Sequence, residues 1–60
     1  MKYEGKIIAH NFDIGEFLVL SADYEKKEVV CIEKIMHPTN KLHLQPYKRT
    51  YGFGEIRIVN

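Results

Sequence analysis

Residues 16–36 read EFLVLSADYEKKEVVCIEKIM. Two apolar runs, 17–20 (FLVL) and 29–32 (VVCI), flank a charged segment at 23–28. Apolar runs of strand length on either side of a polar knot predict a β-hairpin. The segment 23–27 contains no Gly, which disfavours a two-residue primed turn and predicts a four- or five-residue loop built on a type I turn. Val29, Val30, Ile32 and Ile35 make the return strand, 28–36, rich in β-branched residues. The first strand carries Phe17 and Val19 on one face and Leu18, Leu20 and Ala22 on the other. Apolar residues on both faces predict a central strand. An alternative α+β reading places a helix at 23–36, with Asp23 as its N-cap. On a helical wheel the apolar residues of that segment scatter around the whole circumference, so no stripe forms and the strand reading leads.

Outward from the hairpin, 2–10 (KYEGKIIAH) reads as a strand, with Tyr3, Gly5, Ile7 and Ala9 on the expected inner face and Lys2, Glu4, Lys6, Ile8 and His10 facing water. Gly5 inside it marks a bulge or sharp bend. Residues 11–15 (NFDIG) have turn composition. One of the two large apolar side chains there, Phe12 or Ile14, is expected to fold inward and cap the core; exposure of both would begin a binding patch. Residues 37–41 (HPTNK) break the pattern, and Pro46 ends or marks an edge of the strand that Leu42 and Leu44 begin. The closing segment 55–59 (EIRIV) alternates, with Ile56 and Ile58 inward and Arg57 outward. Short strands at this spacing predict an all-β domain of five or six strands over residues 1–60, a strongly curved sheet closing to an SH3-like barrel. That architecture implies no function by itself.

A 60-residue chain supports one domain and buries only about 60% of the surface its unfolded form exposes. Apolar residues make up 45% of it, the composition of a folded rather than a disordered chain. Cys31 is the only cysteine, so no disulfide forms within the chain, and its place in an apolar strand predicts a buried thiol. No signal peptide is visible, and no apolar run approaches the ~20 residues of a membrane helix. Cytoplasmic location and no membrane association are the resulting expectations, and the start at Met1 suits a complete small gene product. Net charge is +1, but residues 1–33 carry four Lys and seven acids while residues 34–60 carry five basic residues and one acid. A basic face from the C-terminal half and neutralising cross-strand pairs between the halves are both compatible with that asymmetry.

Catalysis finds no support in the residues. Cys31 sits in the most apolar strand, the wrong environment for a thiolate. No set of nucleophile, base and orienting group stands out, so no enzyme activity and no cofactor are expected. His37 and His43, with His10 and Cys31, have no recognised ligand spacing, and no metal is expected.

The sharpest motif is 47–53, YKRTYGF, where Tyr47, Tyr51 and Phe53 interleave with Lys48 and Arg49. Aromatic rings stack on exposed bases while basic side chains hold phosphates. At Arg49, Tyr51, Gly52 and Phe53 the run resembles a fragment of the ribonucleoprotein signature of RNA-recognition motifs. It departs from the signature at Thr50 and Gly54, and the chain is too short for that whole fold. The bland reading is structural: alternation puts Tyr47, Arg49, Tyr51 and Phe53 on one face, where a small core needs rings, and Arg49 must then reach an edge or stack on a ring.

Two functions follow. The first is a stand-alone, non-catalytic protein-interaction module that binds and regulates or inhibits a protein partner. The second is a single-stranded RNA- or DNA-binding barrel that uses 47–53 with Arg57 and Lys41, a reading that near-neutral net charge opposes. The candidate partner-binding residues are Phe12, Ile14, Tyr47, Lys48, Arg49, Tyr51, Phe53 and Arg57. An exposed strand edge also makes a homodimer an expectation.

Overall fold

The computed structural model describes residues 3–36 and 42–60, and for residues 35, 36 and 42–46 the backbone alone. It contains five strands, β1 (Ile7–His10), β2 (Glu16–Asp23), β3 (Glu28–Met36), β4 (Leu42–Gly52) and β5 (Ile56–Ile58), with a 3-10 turn at Phe53–Glu55 before β5. All pairings are antiparallel, in the order β4-β3-β2-β1-β5. The chain meanders through four strands and then returns its last strand to the first. The sheet stays open: β4 and β5 are its two edges, so the expected closure into a barrel is not seen. The break expected at 37–41, including Lys41 and His37, lies outside the described residues, as does the side chain of His43.

The hairpin forms as its composition predicts. β3 is a strand over the whole of Glu28–Met36, which overturns the helix alternative. Its turn has Asp23 opposite Glu28, with four residues between them. The Asp23 carboxylate accepts the N–H groups of Glu25 and Lys26, both at 3.0 Å, and Lys27 then takes φ 58° to re-enter the ladder. This is a side-chain-stabilised turn closed by a left-handed residue.

Ile8, Phe17, Val19, Val29, Cys31 and Tyr51 form the buried cluster, with Tyr3, Ala22, Phe53 and Ile56 packed against it. Three features move residues from the faces expected of them. The first strand begins at Ile7 because Tyr3 to Lys6 form a turn, with Gly5 at φ 78°. That turn shifts the alternation by one, so Ile8 rather than Ile7 enters the core alongside Tyr3. A bulge between Val19 and Ser21 then leaves Leu20 exposed and returns Ala22 to the core side. Finally, Ile58 pairs with Ile8 at the β5 edge, where it stays exposed instead of facing inward.

Pro46 lies inside β4 rather than ending it. Between the pairs Ile32–Lys48 and Lys34–Leu44, one β3 residue faces three on β4. An edge strand with a local irregularity is where a residue lacking an N–H costs least. The 11 residues of β4 span about 36 Å at ~3.3 Å each, which matches the 39 Å long axis of the molecule.

Candidate functional site

The loop between β1 and β2, residues 11–15, is the most exposed apolar feature of the described chain. Phe12 is 85% exposed and Ile14 95% exposed. Neither folds inward to cap the core, contrary to expectation. The reason is that polar anchors, not burial of those side chains, hold this loop.

Those anchors converge from three elements. Asn11 donates its N–H to the Glu55 carbonyl at 2.8 Å. His10, at the end of β1, accepts the N–H groups of Phe12 (3.0 Å) and Asp13 (3.2 Å) on Nδ1. A ring nitrogen that accepts two N–H groups carries no proton, so the imidazole proton sits on Nε2, which lies 2.9 Å from Glu55 Oε1 and donates to it. The Asp13 carboxylate, in turn, accepts a short hydrogen bond from the Tyr51 hydroxyl on β4 and lies 3.6 Å from Arg49 Nη1. Gly15, at φ 104°, then turns the chain into β2, a conformation that a side chain would strain.

Arg49 ties the site to the sheet. It donates to the Tyr51 hydroxyl at 3.3 Å and to Glu33 Oε1 at 3.4 Å, and its guanidinium stands 5.3 Å above the centre of the Phe17 ring. Arg49 thus both reaches an edge and stacks on a ring, as a charged residue on the core face of a strand must. Rings connect the core to the loop tip: Phe17 meets Tyr51 edge-on at 5.3 Å, Tyr51 lies 4.0 Å from His10, and His10 lies 5.9 Å from Phe12. Burial and the bond to Asp13 push the Tyr51 hydroxyl above the ordinary tyrosine range, against the pull of Arg49. The hydroxyl therefore keeps its proton and remains the donor in this clasp.

The other candidate residues divide. Tyr51 is buried and Phe53 is half-buried, its ring 4.4 Å from that of Tyr3. Both rings serve the core. Tyr47 is 77% exposed and lies where β4 passes residues 33–34, the end of the sheet at which the 11–15 loop enters β2. Lys48 and Thr50 pair with Ile32 and Val30 on the opposite face from Arg49 and Tyr51. Arg57 is on β5, at the other edge of the sheet. Lys48, Arg49 and Arg57 therefore do not meet around exposed rings. Arg49 is engaged by Asp13 and Glu33, acids from the N-terminal half.

Asp13, Glu33 and Glu55, which hold the loop together with His10, are not among the residues singled out from the sequence, and His10 is weighed there only as a metal ligand. The available signal was the acid Asp13 inside a turn of type NFDIG, three residues after a histidine. Cys31 is fully buried, and burial pushes its thiol up to about 11, partly offset by Arg49. It is therefore a packed apolar group rather than a thiolate at neutral pH. Among the described residues no group of three or more His, Cys, Asp or Glu is arranged to hold a metal ion, and no helix is long and apolar enough to cross a membrane. Comparison with family models, curated proteins and solved structures returns no match.

Proposed function

We propose that this protein is a non-catalytic interaction module that binds and regulates a protein partner through the 11–15 loop. One observation carries this reading: two large apolar side chains, Phe12 and Ile14, stand in solvent on a loop whose backbone is fastened by hydrogen bonds to β1 and the 3-10 turn and whose Asp13 side chain is bonded to β4. Exposed apolar groups are unremarkable when scattered, but two on a pinned loop form a presented surface. Pinning lowers the ordering cost of association, so the apolar contact converts more fully into affinity. Tyr47, exposed at the same end of the sheet, is a residue type favoured at interface hot spots.

The charge around the loop narrows the partner. The polar network beneath it pairs two carboxylates, Asp13 and Glu33, with one guanidinium, Arg49, and a third, Glu55, with the neutral His10 ring. That balance favours an apolar pocket bordered by Lys or Arg on the partner, and it disfavours phosphate. The single-stranded nucleic-acid alternative draws less support: the rings of Tyr51 and Phe53 are engaged in packing, and Arg49 is already neutralised by acids. As a fold reading, a curved meander whose last strand returns to the first supports an SH3-like arrangement short of closure.

The test compares wild type with a Phe12→Ser, Ile14→Ser double variant in affinity capture after nuclease treatment. A protein retained by wild type and lost by the equally stable variant supports the proposal. Equal recovery by both, or recovery of nucleic acid alone before nuclease, would overturn it.

A further inference from the structure

We infer that His10 is a proton-operated latch for the 11–15 loop, which is fastened when the imidazole is neutral and released when it is charged. Its consequence for docking rests on the reading of Phe12 and Ile14 as the partner surface. The latch itself is a property of the free protein.

The geometry sets two incompatible arrangements. In the neutral ring, Nδ1 is the acceptor for the Phe12 and Asp13 N–H groups, and Nε2–H is the donor to Glu55 Oε1. The ring is well shielded: the His10 side chain is only 8% exposed. A second proton can go only to Nδ1, because Nε2 already carries one. The new N–H has nothing to offer two amide donors, so Phe12 and Asp13 lose their shared acceptor together. It does find a partner in the Asp13 carboxylate, whose Oδ2 is 3.9 Å from Nδ1. To close that pair, Asp13 must turn away from the Tyr51 hydroxyl and Arg49, the contacts that tie the loop to β4.

Among the described residues, the charged neighbours bear on this balance as follows. Glu55, from the 3-10 turn, accepts from Nε2–H in both states. Asp13, from the loop, can pair with Nδ1–H only after it moves. On β4, Tyr51 stacks on the imidazole with its hydroxyl engaged by Asp13, and Arg49 competes for the same carboxylate. Glu33 on β3 holds Arg49 in place. Ile56, opposite His10 on β5, brings no charge. The neutral ring serves the two amides and the charged ring serves the two carboxylates, so the two arrangements exclude each other. An element so opposed has two discrete states, and histidines titrate across the range of about pH 5–8 where such a device operates.

The experiment is a nuclear magnetic resonance titration of the 15N-labelled protein from pH 8 to pH 5. At pH 8 the His10 ring spectrum shows the proton on Nε2. As His10 titrates, the Phe12 and Asp13 amide signals move with the same midpoint. Amide exchange at those two sites, corrected for its intrinsic pH dependence, rises roughly fivefold to tenfold relative to the Gly5 and Val19 amides, the change expected for loss of one ordinary hydrogen bond. A His10→Gln variant, whose side-chain carbonyl accepts at any pH, loses this pH dependence. Retention of shift and protection at Phe12 and Asp13 through the His10 titration, or a proton on Nδ1 at pH 8, would overturn the latch. Neither result bears on whether Phe12 and Ile14 dock a partner, which the capture experiment decides.

Discussion

The clasp between the loop and β4 makes a quantitative prediction. Tyr51→Phe keeps the ring, with its contacts to Phe17 and His10, and removes only the hydroxyl that donates to Asp13 and accepts from Arg49. A hydrogen bond to a charged group contributes about 1.5–3 kcal/mol. Two features reduce that here. Asp13 is 43% exposed, so water takes up part of the lost bond, and Arg49 already stands 3.6 Å from the same carboxylate. The expected loss is about 1–1.5 kcal/mol, or roughly 5–10 °C in melting temperature for a domain of this size. Asp13→Ala removes the same bond and an exposed ion pair that adds less than about 1 kcal/mol. Because the two changes delete one shared contact, the double variant should lose about 1 kcal/mol less than the sum of the singles. Urea unfolding followed by circular dichroism, compared at midpoints with a common slope, resolves this. Additivity within about 0.3–0.5 kcal/mol would show that Tyr51 and Asp13 do not act together, and the pinned-loop argument would fail. Tyr47→Phe, at an exposed site, is the control and should change nothing.

Further outcomes follow from the same structure. Phe12→Ser with Ile14→Ser should leave stability within about 0.5 kcal/mol of wild type, as expected of side chains in solvent, measured by the same unfolding assay. Gly15→Ala should cost about 1–2 kcal/mol, because φ 104° strains any side chain and the added methyl would stand 3.4 Å from Glu33 Oε2. Lys27→Gly should gain up to about 1 kcal/mol by relieving the left-handed turn residue, less what the more flexible unfolded chain takes back. The buried Cys31 thiol sets an alkaline limit. The folded state holds its proton more tightly than the unfolded chain, so its stabilising contribution is complete below the ordinary 9.0 and is lost as pH rises towards about 11. Stability measured across that window should fall, and Cys31→Ala should flatten the slope.

Local composition carried the fold where strand propensity and packing agree. β3 was legible because its β-branched run has no helical stripe, and the 23–27 turn because Asp23 supplies a side-chain acceptor where Gly is absent. Parity was less legible. Gly5 was legible as a bend and takes φ 78°, but not the reset of the inward face that follows it, and the bulge at Leu20 leaves no signature in a pattern that already carries apolar residues on both faces. Barrel closure depends on how far β4 and β5 curl towards each other, a sum of small twists that no single residue announces. At the candidate site, Phe12 and Ile14 were visible as large residues in a turn. Their exposure was not, because a hydrophobic argument predicts that one of them folds in. What holds them out is a set of contacts at sequence separations of 38 and 45 residues, from Tyr51 to Asp13 and from His10 to Glu55. The ring-rich segment 47–53 was ambiguous for the opposite reason: alternation placed Arg49 among core rings, and only the acids from β3 and the loop show how its charge is met.

The most direct test of the account places a photo-activatable crosslinking residue at position 12 or 14 and, for comparison, at position 48 or 57, in cells of the protein's own host. One protein should be captured in high yield from positions 12 and 14 and not from 48 and 57. Capture of nucleic acid, or of a protein only from positions 48 and 57, would contradict it and move the binding surface away from the loop.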